Sequence, residues 1–153
     1  MSTRRLVTIA ATALVMAGAG LAPPASAAAT ATPAAPQAMK LKFFKTPSGN
    51  IRCGMFRVSG KWSMRCDIYD HDWMSPPKPA SCDFDWGSSV GMGGKSHPRF
   101  ECVSDAMDNG MTLAYGKSLS YGPFFCKSRP KGLKCYNGRG HGWFLSRESY
   151  RLF

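Results

Sequence analysis

The chain has 153 residues and a formal net charge of +11, from 20 lysines and arginines against nine aspartates and glutamates. A chain of this length accommodates one domain with a modest core, and a domain of this size benefits from covalent cross-links. Beyond the N-terminal segment, no apolar stretch is long enough to cross a bilayer, so the sequence predicts no transmembrane anchor.

The N-terminal segment has the organisation of a cleavable export signal. Arg4 and Arg5 form a short basic start, an uncharged apolar run follows over residues 6–21, and small residues at Ala25-Ser-Ala27 precede the expected cleavage site. We therefore predict a signal peptide over residues 1–27. It directs the protein to the cell envelope or the medium, through either the general or the twin-arginine export route.

A segment rich in Ala, Pro and Thr follows over residues 28–39. It contains no aromatic and no branched aliphatic side chain, so it cannot pack a core and is expected to be a flexible leader. Residues 40–153 are expected to form a single domain. In that part short apolar runs alternate with Gly, Asn, Ser and Pro, a pattern typical of strands rather than helices.

The sequence thus predicts an all-β fold, a small barrel or sandwich of antiparallel hairpins held by disulfides, with little helix outside the signal peptide. Ser146 is expected to cap one short helical turn near the C-terminus. The predicted strands cover residues 42–46, 50–58, 61–68, 84–91, 99–104, 111–115, 123–127, 132–136 and 142–146.

The strands predicted at 50–58 and 61–68 form a hairpin if Ser59-Gly60 is a two-residue turn. Cys53 then lies opposite Cys66 in a non-hydrogen-bonded pair, where side chains approach most closely and a disulfide fits. One face of the hairpin is apolar, and the other places Arg52 opposite Asp67 as a cross-strand ion pair. A three-residue loop would instead point the two cysteines to opposite faces.

Four more cysteines follow in the chain. Cys126 and Cys135 bracket a segment whose proline and glycine suit a type I turn with a bulge, and Cys82 and Cys102 pair by elimination. Six cysteines allow many connectivities, so this pairing is a hypothesis. Paired cysteines indicate an oxidising compartment. Neither a C-x-x-C spacing nor a Cys/His cluster suggests a metal site, so no metal and no cofactor are expected.

Basic residues concentrate in the segments 40–66 and 117–153, whereas most acids lie between them. We predict that the two basic segments meet on one face and attract an anionic partner, either an envelope polymer or a lipid surface. The alternative is a solvated basic surface that serves solubility alone. The candidate contacts with an anionic polymer are Lys127, Arg129, Lys131 and Lys134.

Two function classes follow, and the leading prediction is a secreted, non-enzymatic binding module. The alternative is a small secreted hydrolase, resembling a basic nuclease, in which His141 acts with a carboxylate such as Glu101 or Asp105. His141 lies between two glycines, which either expose its imidazole or form a tight turn. A cleft that joins His141 to a carboxylate would favour the hydrolase, and a flat basic or aromatic face would favour the binding module.

Two further patterns allow a ligand site but are explained more simply by structure. Asp70-His-Asp-Trp73 and Asp83-Phe-Asp-Trp86 alternate carboxylates that could hold Ca²⁺, yet neither continues into an EF-hand loop, and both suit turns. The four tryptophans could form a sugar- or peptide-binding face, but in a small β domain most are expected in the core: Trp62, Trp73, Trp86 and Trp143.

Several short motifs occur in a recognisable order: Pro47-Ser-Gly-Asn-Ile-Arg-Cys53, Arg65-Cys-Asp-Ile68, Asp85-Trp-Gly87 and Gly140-His-Gly142. Over residues 43–153 the chain resembles a family of small secreted actinobacterial proteins classed as a domain of unknown function. The resemblance implies an exported, disulfide-bonded domain in a bacterium with a thick or complex envelope. It implies no activity and no site residues.

Overall fold

The computed structural model describes residues 40–107 and 109–153, so the predicted signal peptide and leader lie outside the described residues. The described part contains eleven strands and no helix, hence none that could span a membrane. The strands are β1 Lys40–Lys45, β2 Ile51–Val58, β3 Lys61–Ile68, β4 Ser89–Gly93, β5 Arg99–Phe100, β6 Met111–Thr112, β7 Ser118–Tyr121, β8 Phe124–Arg129, β9 Gly132–Asn137, β10 Gly142–Leu145 and β11 Tyr150–Leu152.

The strands form two sheets. The first has the order β5-β4-β3-β2-β1-β6, antiparallel except for β1 and β6, and the second has the antiparallel order β11-β10-β9-β8-β7. Buried side chains of both sheets meet in one core, in which Cys126 Sγ lies 3.9 Å from Met64 Sδ of the opposite sheet. The prediction of an all-β fold is therefore confirmed, and the architecture is a sandwich rather than a closed barrel.

The β2–β3 hairpin has the predicted register. Cys53 lies opposite Cys66, and the turn residues Ser59 and Gly60 have φ angles of 49° and 76°. Left-handed backbone at both positions matches the twist of a two-residue hairpin, and glycine adopts it without steric cost. The register places Cys53, Met55 and the other inward residues against the second sheet.

The predicted ion pair between Arg52 and Asp67 is wrong, although the two residues do lie opposite each other. The carboxylate of Asp67 accepts two hydrogen bonds from Arg65, at 2.8 and 2.9 Å. Residues two apart on a strand share a face, so Nε and Nη2 of Arg65 both reach the Asp67 carboxylate. This bidentate geometry strengthens the ion pair. The guanidinium carbon of Arg52 instead lies 4.6 Å from the centroid of the Tyr69 ring.

The buried Asp67 carboxylate also accepts hydrogen bonds from the hydroxyl of Ser89 and the backbone N–H of Met107, both at 2.8 Å. Asp105 is a second, exposed partner of Arg65, at 3.0 Å. Burial opposes the charge of Arg65, but its bonds to Asp67 and Asp105 outweigh burial and raise the pKa of Arg65 above its ordinary value. This network ties the outer face of the first sheet to the loop that follows β5.

All six cysteines are bonded, in the pairs predicted: Cys53–Cys66, Cys82–Cys102 and Cys126–Cys135. Each closes a short loop, which on the chain-entropy account contributes about 3 kcal/mol to stability. The β8–β9 pairing runs unbroken from the last disulfide to Arg129 opposite Gly132, so the expected bulge does not interrupt it. The β8–β9 hairpin therefore keeps strict alternation of inward and outward residues.

The prediction of a helical turn near the C-terminus is wrong. The hydroxyl of Ser146 accepts a hydrogen bond from the N–H of Ser149 at 3.0 Å, as a helix cap would, but the bond closes a turn that leads into β11. β7 and β11 were not predicted. Both are edge strands, whose backbone finds partners only in β8 and β10. Most of the strand predicted at 84–91 is irregular, and β4 begins at Ser89.

Candidate functional site

The outer face of the second sheet carries alternating aromatic and basic side chains. In β8, Phe124, Cys126 and Ser128 are buried, so the residues between them point away from the core. The same alternation in β9 turns its intervening residues to the same side. They line a groove of about 410 Å³, the basic–aromatic groove, formed by Phe125, Lys127, Arg129, Gly132, Lys134, Tyr136 and Phe144.

Among the described residues, no ion pair compensates the positive charge of this groove. Lys127 lies directly opposite Lys134, and like charges at such positions destabilise a sheet. The ion pairs of the described residues all involve Arg65, Arg99 or Arg147, so no carboxylate lies within 4.0 Å of Lys127, Arg129 or Lys134. An anionic ligand would supply the missing countercharge.

The aromatic side chains form the floor of the groove. The rings of Phe125 and Tyr136 lie opposite each other, with centroids 5.0 Å apart and planes inclined at 35°. The ammonium of Lys134 lies 5.9 Å from the centroid of Tyr136 and 5.1 Å from that of Phe153. These distances allow cation–π attraction, which favours a defined position for the charge rather than a freely moving one.

A glycine shapes the groove next to Phe144. The backbone of Gly132 has a φ of +142°, and a Cβ there would lie only 2.7 Å from the Phe144 ring and 2.4 Å from the Leu145 carbonyl oxygen. Any other residue at this position would displace the ring or the strand. Gly132 therefore allows Phe144 to lie across the end of β9, where it closes one side of the groove.

The outer face of the first sheet differs in its charge balance. It carries a cavity of about 580 Å³, whose lining includes Arg65, Arg99, Glu101 and Asp105. These four form ion pairs with one another, Arg65 with Asp105 at 3.0 Å and Arg99 with Glu101 at 3.3 Å. Since its own carboxylates already neutralise these arginines, this face offers less attraction to an external anion.

The two basic segments do not share an outer face of the sandwich, but cations of both segments line one cavity at its end, Arg52 from the first segment and Arg129, Lys131 and Arg147 from the second. Residues 40–66 and 117–153 form their own hairpins in different sheets, and the outer faces of a sandwich point in opposite directions. Of the four candidate contacts, Lys127, Arg129 and Lys134 line the groove, whereas Lys131 lies in the β8–β9 turn and lines a different cavity.

The sequence interpretation missed the aromatic half of the groove. Phe125 and Lys127 flank Cys126, and Lys134 and Tyr136 flank Cys135. Because a cysteine bonded across two strands points into the core, its neighbours must point outward. That parity would have identified the four outward residues from the disulfide alone.

His141 lies in the β9–β10 turn, where its carbonyl oxygen accepts a hydrogen bond from the N–H of Asn137 at 2.8 Å. Its ring faces that of His97, with centroids 3.6 Å apart. Glu101 and Asp105 are engaged by arginines, and within the described part of the chain neither bonds to His141. The structure thus brings His141 together with a second histidine and not with a carboxylate.

The tryptophans and the Asp-x-Asp-Trp motifs are used structurally. Trp143 is fully buried, and the indole N–H groups of Trp73 and Trp86 donate to backbone carbonyls at 3.0 and 2.9 Å. Asp70 and Asp72 form ion pairs with an arginine. Among the residues described, no group of three or more His, Cys, Asp or Glu side chains is placed to hold a metal.

One family model matches the chain over residues 25–153, and its description is a family of unknown function, DUF6636. None of the curated proteins matches the chain, and none of the solved structures does.

Proposed function

We propose that this chain, which belongs to DUF6636, a family of unknown function, is an exported, non-enzymatic binding module. It holds an anionic polymer of the cell envelope in its basic–aromatic groove. The observation that carries the proposal is the pair of opposed lysines, Lys127 and Lys134, which have no carboxylate partner among the described residues. A bound polyanion removes the repulsion between them and gains the attraction of Arg129 as well.

A polymer fits the groove better than a lipid surface does. Amphipathic binding at a bilayer interface adds the burial of protruding apolar side chains to the attraction of the cations. The aromatic side chains here, Phe125, Tyr136 and Phe144, are only partly exposed and lie between the basic residues. A flexible chain that carries regularly spaced negative charges and flat units can place its charges on the lysines and its units on the rings.

The disulfides support export. Three bonded pairs are typical of an oxidising compartment, and they agree with the signal peptide proposed for residues 1–27. The hydrolase alternative finds less support, because His141 contacts His97 rather than a carboxylate that would orient it.

The proposal is tested by retention of the purified protein on immobilised linear polyphosphate as salt rises. Exposed charges are screened over about 8 Å at physiological ionic strength, so we expect strong retention at low salt and progressive release as salt increases. Neutral dextran resin is the control for non-ionic adsorption, and vesicles of phosphatidylglycerol test the lipid alternative. Equal retention on dextran, or release that ignores salt, would refute the proposal.

A further inference from the structure

A second cavity lies where turns of the two sheets come together. It has a volume of about 600 Å³ and lies beside the basic–aromatic groove, sharing only Arg129 and Gly132 with it. We call it the turn cavity. Its lining comes from the β1–β2 turn, from Arg52 and Tyr69 of the first half of the chain, and from Tyr115, the β8–β9 turn and residues 146–148 of the second half. Its volume is within the range of small-molecule sites.

The turn cavity carries a net positive charge. Four cations and two carboxylates line it, which leaves a net charge of +2. Of the cations, Arg147 is engaged by Asp70 at 3.2 Å and by Asp72 at 3.3 Å. The other three have no carboxylate within 4.0 Å in the described part of the chain, namely Arg52, Arg129 and Lys131. Three cations of one cavity are therefore free to bind an anion.

Arg52 has an unused hydrogen-bond donor. Its Nε is buried and has no hydrogen-bond partner, whereas buried donors in folded proteins nearly always have one. The guanidinium lies 4.6 Å from the centroid of the Tyr69 ring, which holds it in a defined plane. Since Arg52 lines the cavity and its Nε is enclosed, an oxyanion there would accept from the terminal N–H groups of the guanidinium.

The wall of the cavity is preformed. The side chain of Asn50 donates to the carbonyl oxygen of Asp70 and accepts from its N–H, both at 2.8 Å. These two bonds fix the β1–β2 turn against the loop after β3. Two tyrosines with large exposed fractions line the same cavity, Tyr69 at 49% and Tyr115 at 44%. Tyr115 offers a flat apolar face and a hydroxyl to a sugar ring, whereas the Tyr69 hydroxyl already donates to the Met107 carbonyl oxygen at 3.4 Å, so Tyr69 offers its ring alone.

From these features we infer that the turn cavity binds a phosphate monoester of a sugar, with the phosphate on Arg52 and Lys131 and the sugar against Tyr69 and Tyr115. A phosphate monoester carries about two negative charges near neutral pH, which matches the net charge of the cavity, whereas a carboxylate carries one. The arginine fork and the lysine ammonium are both common phosphate ligands. This site is distinct from the groove, because Arg52 and Lys131 do not line the groove.

The test is a calorimetric titration of the full protein with glucose 6-phosphate, inorganic phosphate, glucose and glucuronate. We expect glucose 6-phosphate to bind more tightly than phosphate or glucuronate, and glucose not to bind. Arg52→Gln and Lys131→Gln should each lower the affinity for glucose 6-phosphate at least tenfold. Lys131 is exposed, so its variant keeps the fold even if the change at the partly buried Arg52 does not.

Two controls separate this site from the groove. Lys78→Gln changes an exposed lysine outside both lining sets and should leave both activities unchanged. Lys127→Gln should weaken retention on polyphosphate and leave glucose 6-phosphate binding intact. The inference is overturned if wild-type protein does not bind glucose 6-phosphate, or if a folded Lys131→Gln variant binds it as tightly as wild type. Neither result would affect the groove.

Discussion

The paired change Lys127→Glu with Lys134→Glu is expected to abolish retention on polyphosphate at physiological salt. It removes two attractive charges and adds two repulsive ones. Each basic side chain at an anionic surface contributes about 1 kcal/mol, so the change should cost about 4 kcal/mol, or about a thousandfold in affinity. The two positions remain a like-charge pair, so the thermal stability of the domain should change little. The measurements are retention against salt and the melting midpoint.

The matched control is Lys78→Glu with Lys95→Glu. This variant has the same net charge, but both positions are exposed loop residues that do not line the groove. It should keep most of the retention of wild type. If the two double variants lost retention to the same extent, net charge alone would account for binding and the groove would have no special role.

Asp67→Asn is expected to destabilise the domain by about 3–5 kcal/mol. Asp67 accepts four hydrogen bonds, two of them from Arg65, whose side chain is only 13% exposed. Removing one partner of a buried pair is costly because the other charge loses its compensation, and here Arg65 would keep only the exposed Asp105. The introduced amide group also brings donors to a position where each neighbour is itself a donor. Denaturant unfolding of wild type and variant measures the difference.

Asp105→Asn is the control for that prediction, since Asp105 is the other carboxylate partner of Arg65. Its side chain is 75% exposed, and exposed ion pairs contribute about 0–1 kcal/mol. The variant should therefore unfold nearly as wild type does. Equal destabilisation by the two changes would show that the burial of Asp67 has no energetic consequence.

Strand parity explains why the two disulfide hairpins could be predicted from sequence. In the β2–β3 hairpin a two-residue turn fixes every cross-strand pair, and placing Cys53 opposite Cys66 puts the apolar residues on one side. The β8–β9 hairpin follows the same rule, despite a turn whose residues suited a bulge. Local rules sufficed where both partners lie within a few residues of one turn.

Strand parity could not predict which of two nearby arginines bonds to Asp67. Arg52 and Arg65 are both within reach of Asp67, and the structure uses Arg65, because it lies on the same strand and also meets Asp105. The sequence also does not specify which sheet each hairpin joins, and this decided that the two basic segments have separate outer faces. The approach of His97 to His141 depends on the same long-range packing.

The basic–aromatic groove could be predicted from the sequence only in part. Its residues in β8 and β9 follow from the parity around Cys126 and Cys135, but Phe144 reaches it only because β10 pairs with β9 beside Gly132. The turn cavity could not be predicted at all, since its lining comes from distant segments of the chain that meet at one end of the sandwich.

The central claim, that the basic–aromatic groove binds an anionic polymer, is tested most directly by nuclear magnetic resonance of the isotope-labelled protein titrated with short polyphosphate. The account predicts shift changes that are largest at Phe125, Lys127, Lys134 and Tyr136 of the second sheet and are lost on addition of salt. Shift changes centred on the outer face of the first sheet, around Arg65 and Arg99, or the absence of any change at low salt, would contradict it.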